Sequence, residues 1–100
     1  MKVSNFTNSK GNAVRNQFII RDDETPMGGN CVEYFQSYKS IIVKRDKFRA
    51  GKTNREVWLD EKYWDYSRTT SKYRNQFLGE TKKETEKKIK SGEYELVNLN

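Results

Sequence analysis

Val32-Glu33-Tyr34-Phe35-Gln36-Ser37-Tyr38-Lys39-Ser40-Ile41-Ile42-Val43-Lys44-Arg45 is the stretch that decides how the chain folds. Val32, Tyr34 and Tyr38 fall on one face of an extended segment and Phe35 on the other, the period of two that belongs to a strand. Ile41, Ile42 and Val43 are β-branched, stiff at χ1 and suited to a pleated surface, which predicts a central strand. Upstream, residues 13–21 alternate, with Val14, Phe18 and Ile20 on one face and Arg15, Gln17 and Arg21 on the other. Phe6 then belongs to a partner strand reached across the turn residues 8–12, while 22–30 hold the only Pro and two Gly and read as a surface loop. Downstream, the chain forms a long hairpin with its tip at 49–54 and returns through Val57, Trp58 and Leu59.

The pattern changes after Leu59. Asp60, Asp65 and Ser67 are cap-type residues, and Tyr66, Thr70, Tyr73 and Phe77 recur at helical spacing until Gly79 supplies a stop. Thr81 and Glu84 spell a capping box for a second helix that stops at Ser91 and Gly92. Its one strong apolar anchor is Ile89, and Glu84 with Lys88 and Glu86 with Lys90 stand at favourable i, i+4 spacing. The expected architecture is one α+β domain over 1–100. An antiparallel sheet of four or five strands at 3–60 is packed by an amphipathic helix at about 66–78, with a polar helix at about 82–90 and a terminal strand or tail at 93–99.

Leu, Ile, Val and Phe supply only 20 of the 100 residues, so six Tyr and two Trp must carry much of the core. The chain has no His and one Cys. That composition excludes a Ser/His/Asp triad, a Cys/His dyad, His-ligated metal and an intramolecular disulfide. Cys31 is expected as a small half-buried strand residue. The absence of a signal-peptide or membrane-spanning run leads us to expect a soluble protein made in a cytoplasm, with no membrane partner. No cofactor, metal or catalytic residue is implied.

The net charge is +6, and its placement matters more than its size. Between Lys39 and Arg55 seven cations face one acid, Asp46, while the remainder of the chain carries 13 of each sign. A projecting cationic hairpin focuses potential and attracts polyanions. The candidate binding residues are therefore Lys44, Arg45, Lys47, Phe48, Arg49, Lys52 and Arg55, with Phe48 as a stacking or anchoring ring. The competing explanation is edge protection, with Lys and Arg blunting a sheet edge and Phe48 in the core.

Other motifs carry less. Gly51-Lys52-Thr53 ends like a phosphate-binding loop, but Asp46 occupies the place of the first glycine. Glu80-Thr81-Lys82 has the E-x-K spelling of some nucleases yet is expected to open a helix, where acid and lysine do not project together. The rings Trp58, Tyr63, Trp64, Tyr66, Tyr73 and Phe77 are expected mainly in the core, because a chain this poor in aliphatics needs them there.

Tyr34, Phe35, Gln36, Ser37 and Tyr38, then Leu59 and Asp60, then Tyr63, Trp64, Asp65, Tyr66 and Ser67, with Thr69, Thr70, Lys72, Tyr73, Gln76, Phe77, Leu78 and Gly79, form a discontinuous pattern. It resembles a family of short uncharacterised proteins encoded by bacteriophages and mobile elements. The resemblance implies a phage context, in which small domains lacking catalytic motifs work by occupying a surface of a host machine, as anti-CRISPR proteins do. The expected function is thus a non-catalytic accessory protein or inhibitor that binds and blocks a host nucleic-acid-handling complex through its basic hairpin. Sequence-independent binding of a nucleic-acid backbone and a small metal-free ribonuclease toxin stay open as alternatives, as does a homodimer.

Overall fold

The structure is a computed structural model that describes residues 2–22, 30–49 and 56–100, the side chains of Asn30, Cys31, Lys47, Phe48 and Arg49 excepted. Six strands, β1 (Lys2–Thr7), β2 (Ala13–Asp22), β3 (Asn30–Ser37), β4 (Ser40–Arg49), β5 (Glu56–Asp60) and β6 (Tyr94–Val97), lie side by side in chain order. Helices α1 (Arg68–Leu78) and α2 (Lys82–Ser91) fall between β5 and β6. Neighbouring strands are antiparallel except β5 and β6, which run parallel.

The expected antiparallel sheet of four or five strands is thereby corrected to a mixed six-stranded sheet, which carries an amphipathic and a polar helix in the two places where the sequence led them to be expected. A parallel neighbour needs a crossover of a dozen or more residues, and α1 and α2 together supply it. The terminal segment is consequently a sixth strand rather than a tail. Its register, Val57 with Tyr94 and Leu59 with Leu96, places Tyr94 in the core.

Two irregularities decide which side chains point inward. Asn16 adopts a left-handed conformation (φ 63°), and the β1–β2 register slips beside it, from Asn5 opposite Phe18 to Thr7 opposite Ala13. The simple alternation expected for β2 is broken there. Val14 and Ile19 pack on the core and Gln17 is wholly buried, whereas Phe18 and Ile20 move to the opposite face. In β4 a second slip, from Phe35 opposite Val43 to Gln36 opposite Ile41, leaves Ile42 as the extra residue and lets Ile42 and Val43 both be buried.

The core joins Phe6, Phe35, Ile42, Val43, Val57 and Leu59 of the sheet to Tyr73 and Phe77 of α1. Phe35 sits edge-on to Phe6 at 5.3 Å and stacks on Phe77 at 6.0 Å. Each such burial contributes about 1.5–3 kcal/mol, so the rings do replace missing aliphatics. Helix ends follow the sequence closely. Ser67 caps α1 by accepting the Thr70 N–H, Thr81 and Glu84 close a reciprocal capping box, and Gly79 and Gly92 end their helices at positive φ. Tyr66, expected on the helix face, precedes the cap and is 70% exposed. Lys88 reaches Glu80 at 2.7 Å in place of the expected Glu84 pairing. Among the described residues no helix is long and apolar enough to cross a membrane.

Candidate nucleic-acid interface

Both helices join the core on one face of the sheet, leaving the other face without a covering element among the described residues. One row of directly opposed residues crosses that face through all six strands: Val3, Ile20, Tyr34, Lys44, Trp58 and Glu95. Lys44 stands at its centre, with its ammonium 5.2 Å from the centroid of the Trp58 ring. Tyr34 and Trp58 lie two strands apart, about 10 Å from spacing between strands, and both are half-buried. Phe18, opposite Gln36, adds a third ring to the same face. Rings standing on a pleated surface around a cation have the geometry to receive flat bases and a phosphate between them.

The next row lies on the helix side and has a different task. Glu33 is buried there, and its carboxylate accepts from Arg45 at 2.8 Å and Arg21 at 3.2 Å. Arg45 also donates to the Phe77 carbonyl at 2.9 Å and lies 4.2 Å over the Phe77 ring. Arg45 therefore ties α1 to the sheet and is not presented as a binding cation; adjacent strand positions point to opposite faces, and its face is the covered one. Lys44 is the candidate whose described side chain does face outward. Lys47, Phe48 and Arg49 occupy the far part of β4, where Phe48 pairs with Cys31 and Arg49 with Asn30. Their side chains, that of Cys31, and all of Lys52 and Arg55 lie outside the described residues, as does the expected hairpin tip.

Tyr34 and Phe18 are not among the candidate site residues of the sequence, and Trp58 stands there in a ring cluster that would make a stacking platform if exposed but is expected mainly in the core. The signal was present in part, because Trp58 sits at an alternate position between buried Val57 and Leu59. For Phe18 no local signal existed, since its direction depends on the slip at Asn16. Of the other clustered rings, Tyr73 and Phe77 are buried and Tyr63 and Trp64 pack partly against the core.

The loop between β5 and α1 is fixed by charge. The Asp60 carboxylate, almost wholly buried, accepts the Lys62, Tyr63 and Leu99 backbone N–H groups and the Asn100 side-chain amide. Burial alone would raise its pKa, but these four donors outweigh burial and hold it below 3.8. Asp65 is likewise held low: burial opposes ionisation, while Lys82, Ser71 and Arg74 favour it. Arg74, fully buried, donates to the Trp64 carbonyl at 2.6 Å and to Asn75 at 3.0 Å.

The E-x-K triplet is taken up in structure. Thr81 is the α2 cap, and Glu80 accepts from Thr85 and Lys88. Among the described residues no group of three or more Cys, Asp or Glu stands together to hold a metal.

The chain belongs to a family of unknown function, DUF8033, whose model matches residues 1–93. No curated protein and no solved structure matches it.

Proposed function

We propose that the protein is a non-catalytic binding module for nucleic acid, engaged by the helix-free face of the sheet and the ribbon formed by β4 and β5. The row Tyr34, Lys44, Trp58 carries the reading. Lys44 supplies a phosphate contact between two rings on which bases stack, and Lys44, Arg45, Lys47 and Arg49 against Asp46 give β4 an excess of positive charge. Arg45 and its ion pair with Glu33 keep that ribbon attached to the helices. Single strands are preferred over duplex, because exposed bases are needed for stacking. Fluorescence anisotropy of labelled single-stranded and duplex oligonucleotides at two salt concentrations tests the reading. Tighter binding of the single strand, weakening steeply with salt, supports it. Absence of binding at low salt overturns it and favours a protein partner, such as the host nucleic-acid-handling complex expected of a phage inhibitor.

A further inference from the structure

A cleft of about 690 Å³ opens on the helix side, at the end of the sheet away from Arg49. The turn between β3 and β4 forms one wall with Tyr38 and Lys39, and the start of α1 forms the other with Tyr66, Ser67 and Thr69. Its deep part is made by Ser37, Ile42 and Thr70, all buried, with the Ser37 and Thr70 hydroxyls 3.0 Å apart. Across the β2–β3 pair from Ser37 lies Gln17, wholly buried, with neither amide atom hydrogen-bonded.

The lining is chemically one-sided. Among the described residues no carboxylate lines the cleft, and Lys39 is its one cation. The remaining polar groups are hydroxyls and the Asn16 amide; the one carboxylate near the start of α1, Asp65, does not line the cleft and is taken up by Ser71, Arg74 and Lys82. Tyr38 and Tyr66 are 52% and 70% exposed, so their rings are accessible at the rim. Tyr38 is held there in a left-handed conformation (φ 56°), with its N–H bonded to the Asn16 carbonyl at 2.7 Å. A β-turn residue with a large ring rarely adopts that conformation.

We propose that this cleft binds a nucleotide, with the phosphate held by Lys39 and the hydroxyls near the α1 start and the base lying against Tyr38 or Tyr66. A free mononucleotide and the 5′-phosphorylated end of a strand present the same chemistry. The site is independent of the open sheet face, which carries Lys44 and Trp58 on the other side.

Calorimetric titration with adenosine 5′-monophosphate, adenosine and inorganic phosphate tests the assignment. The monophosphate binds, and each fragment binds at least about tenfold more weakly. Lys39→Met and Tyr66→Ala, both exposed positions whose folding is checked by circular dichroism, each lower affinity about tenfold. Lys44→Ala leaves monophosphate binding unchanged even where it weakens oligonucleotide binding, which separates the two sites. A 5′-phosphorylated tetranucleotide that outcompetes its unphosphorylated form identifies a strand end as the source; failure of both to displace the monophosphate assigns the site to the free nucleotide, and equal displacement by both contradicts recognition of a terminal phosphate. No binding at millimolar monophosphate, or binding unaltered by both Lys39→Met and Tyr66→Ala, overturns the proposal.

Discussion

The guanidinium of Arg45 donates to the Glu33 carboxylate at 2.8 Å and remains packed on Phe77 of the helix above it. A residue that reads in sequence as part of a cationic binding run is therefore a strut between sheet and helix. Removing one partner of a buried ion pair leaves the other charge uncompensated, at about 3–5 kcal/mol. Because Arg21 still contacts Glu33, Arg45→Ala is expected to lose about 2–4 kcal/mol, read as a lower urea midpoint with the slope retained. A loss below about 0.5 kcal/mol, the level of an exposed substitution, contradicts this.

Asp60 makes stability depend on acid. Its folded pKa lies below the ordinary 3.8, so the unfolded chain binds the proton more readily. The Asp60 contribution is present in full above that ordinary value and is lost as pH falls through the folded pKa. Asp60→Asn should lower stability at pH 7 and flatten the decline on acidification below about pH 4. Parallel acid limbs for the variant and the parent protein in urea titrations would show that another carboxylate dominates.

At the alkaline end the sign reverses. Burial, aided by the Glu80 carboxylate, pushes the Tyr94 phenol up to about 12, and Lys88, bonded to Glu80, also keeps its proton to higher pH. Both groups stabilise the fold fully below their unfolded values, and that stability is lost as pH rises through the folded ones. Tyrosinate absorbance should show one ring ionising near pH 12, together with loss of near-ultraviolet dichroism. Tyr94→Phe should abolish that final step.

The α2 capping box gives a smaller effect. Thr81→Ala removes the acceptor for the Glu84 N–H and is expected to cost about 1 kcal/mol. Thermal unfolding checks this, and Thr81→Ser should recover most of the loss. Equal melting of all three proteins contradicts a capping role.

Local chemistry was well legible in the sequence. Ser67, Gly79, Thr81, Glu84 and Gly92 announced both helices because caps are specified by residues within one turn. The inward rings Tyr73 and Phe77 followed from spacing. What could not be read depended on distant pairing. Asn16 reverses the faces of β2, so buried Gln17 and outward Phe18 contradict strict alternation. Lys44 and Arg45 are chemically alike and adjacent, and only the sheet register sends one to open surface and the other beneath α1. The parallel placement of β6 needed knowledge that both helices form one crossover.

Salt dependence of oligonucleotide affinity in Lys44→Ala and Trp58→Ala tests the central assignment most directly. Binding by the open face predicts that Lys44→Ala lowers the slope of log affinity against log salt by about 0.7 for a single strand. Trp58→Ala should reduce affinity about tenfold, a stacking loss within about 1–3 kcal/mol, with the slope preserved. If a single strand binds and both variants match the parent protein in affinity and slope, the helix-free face is not the interface.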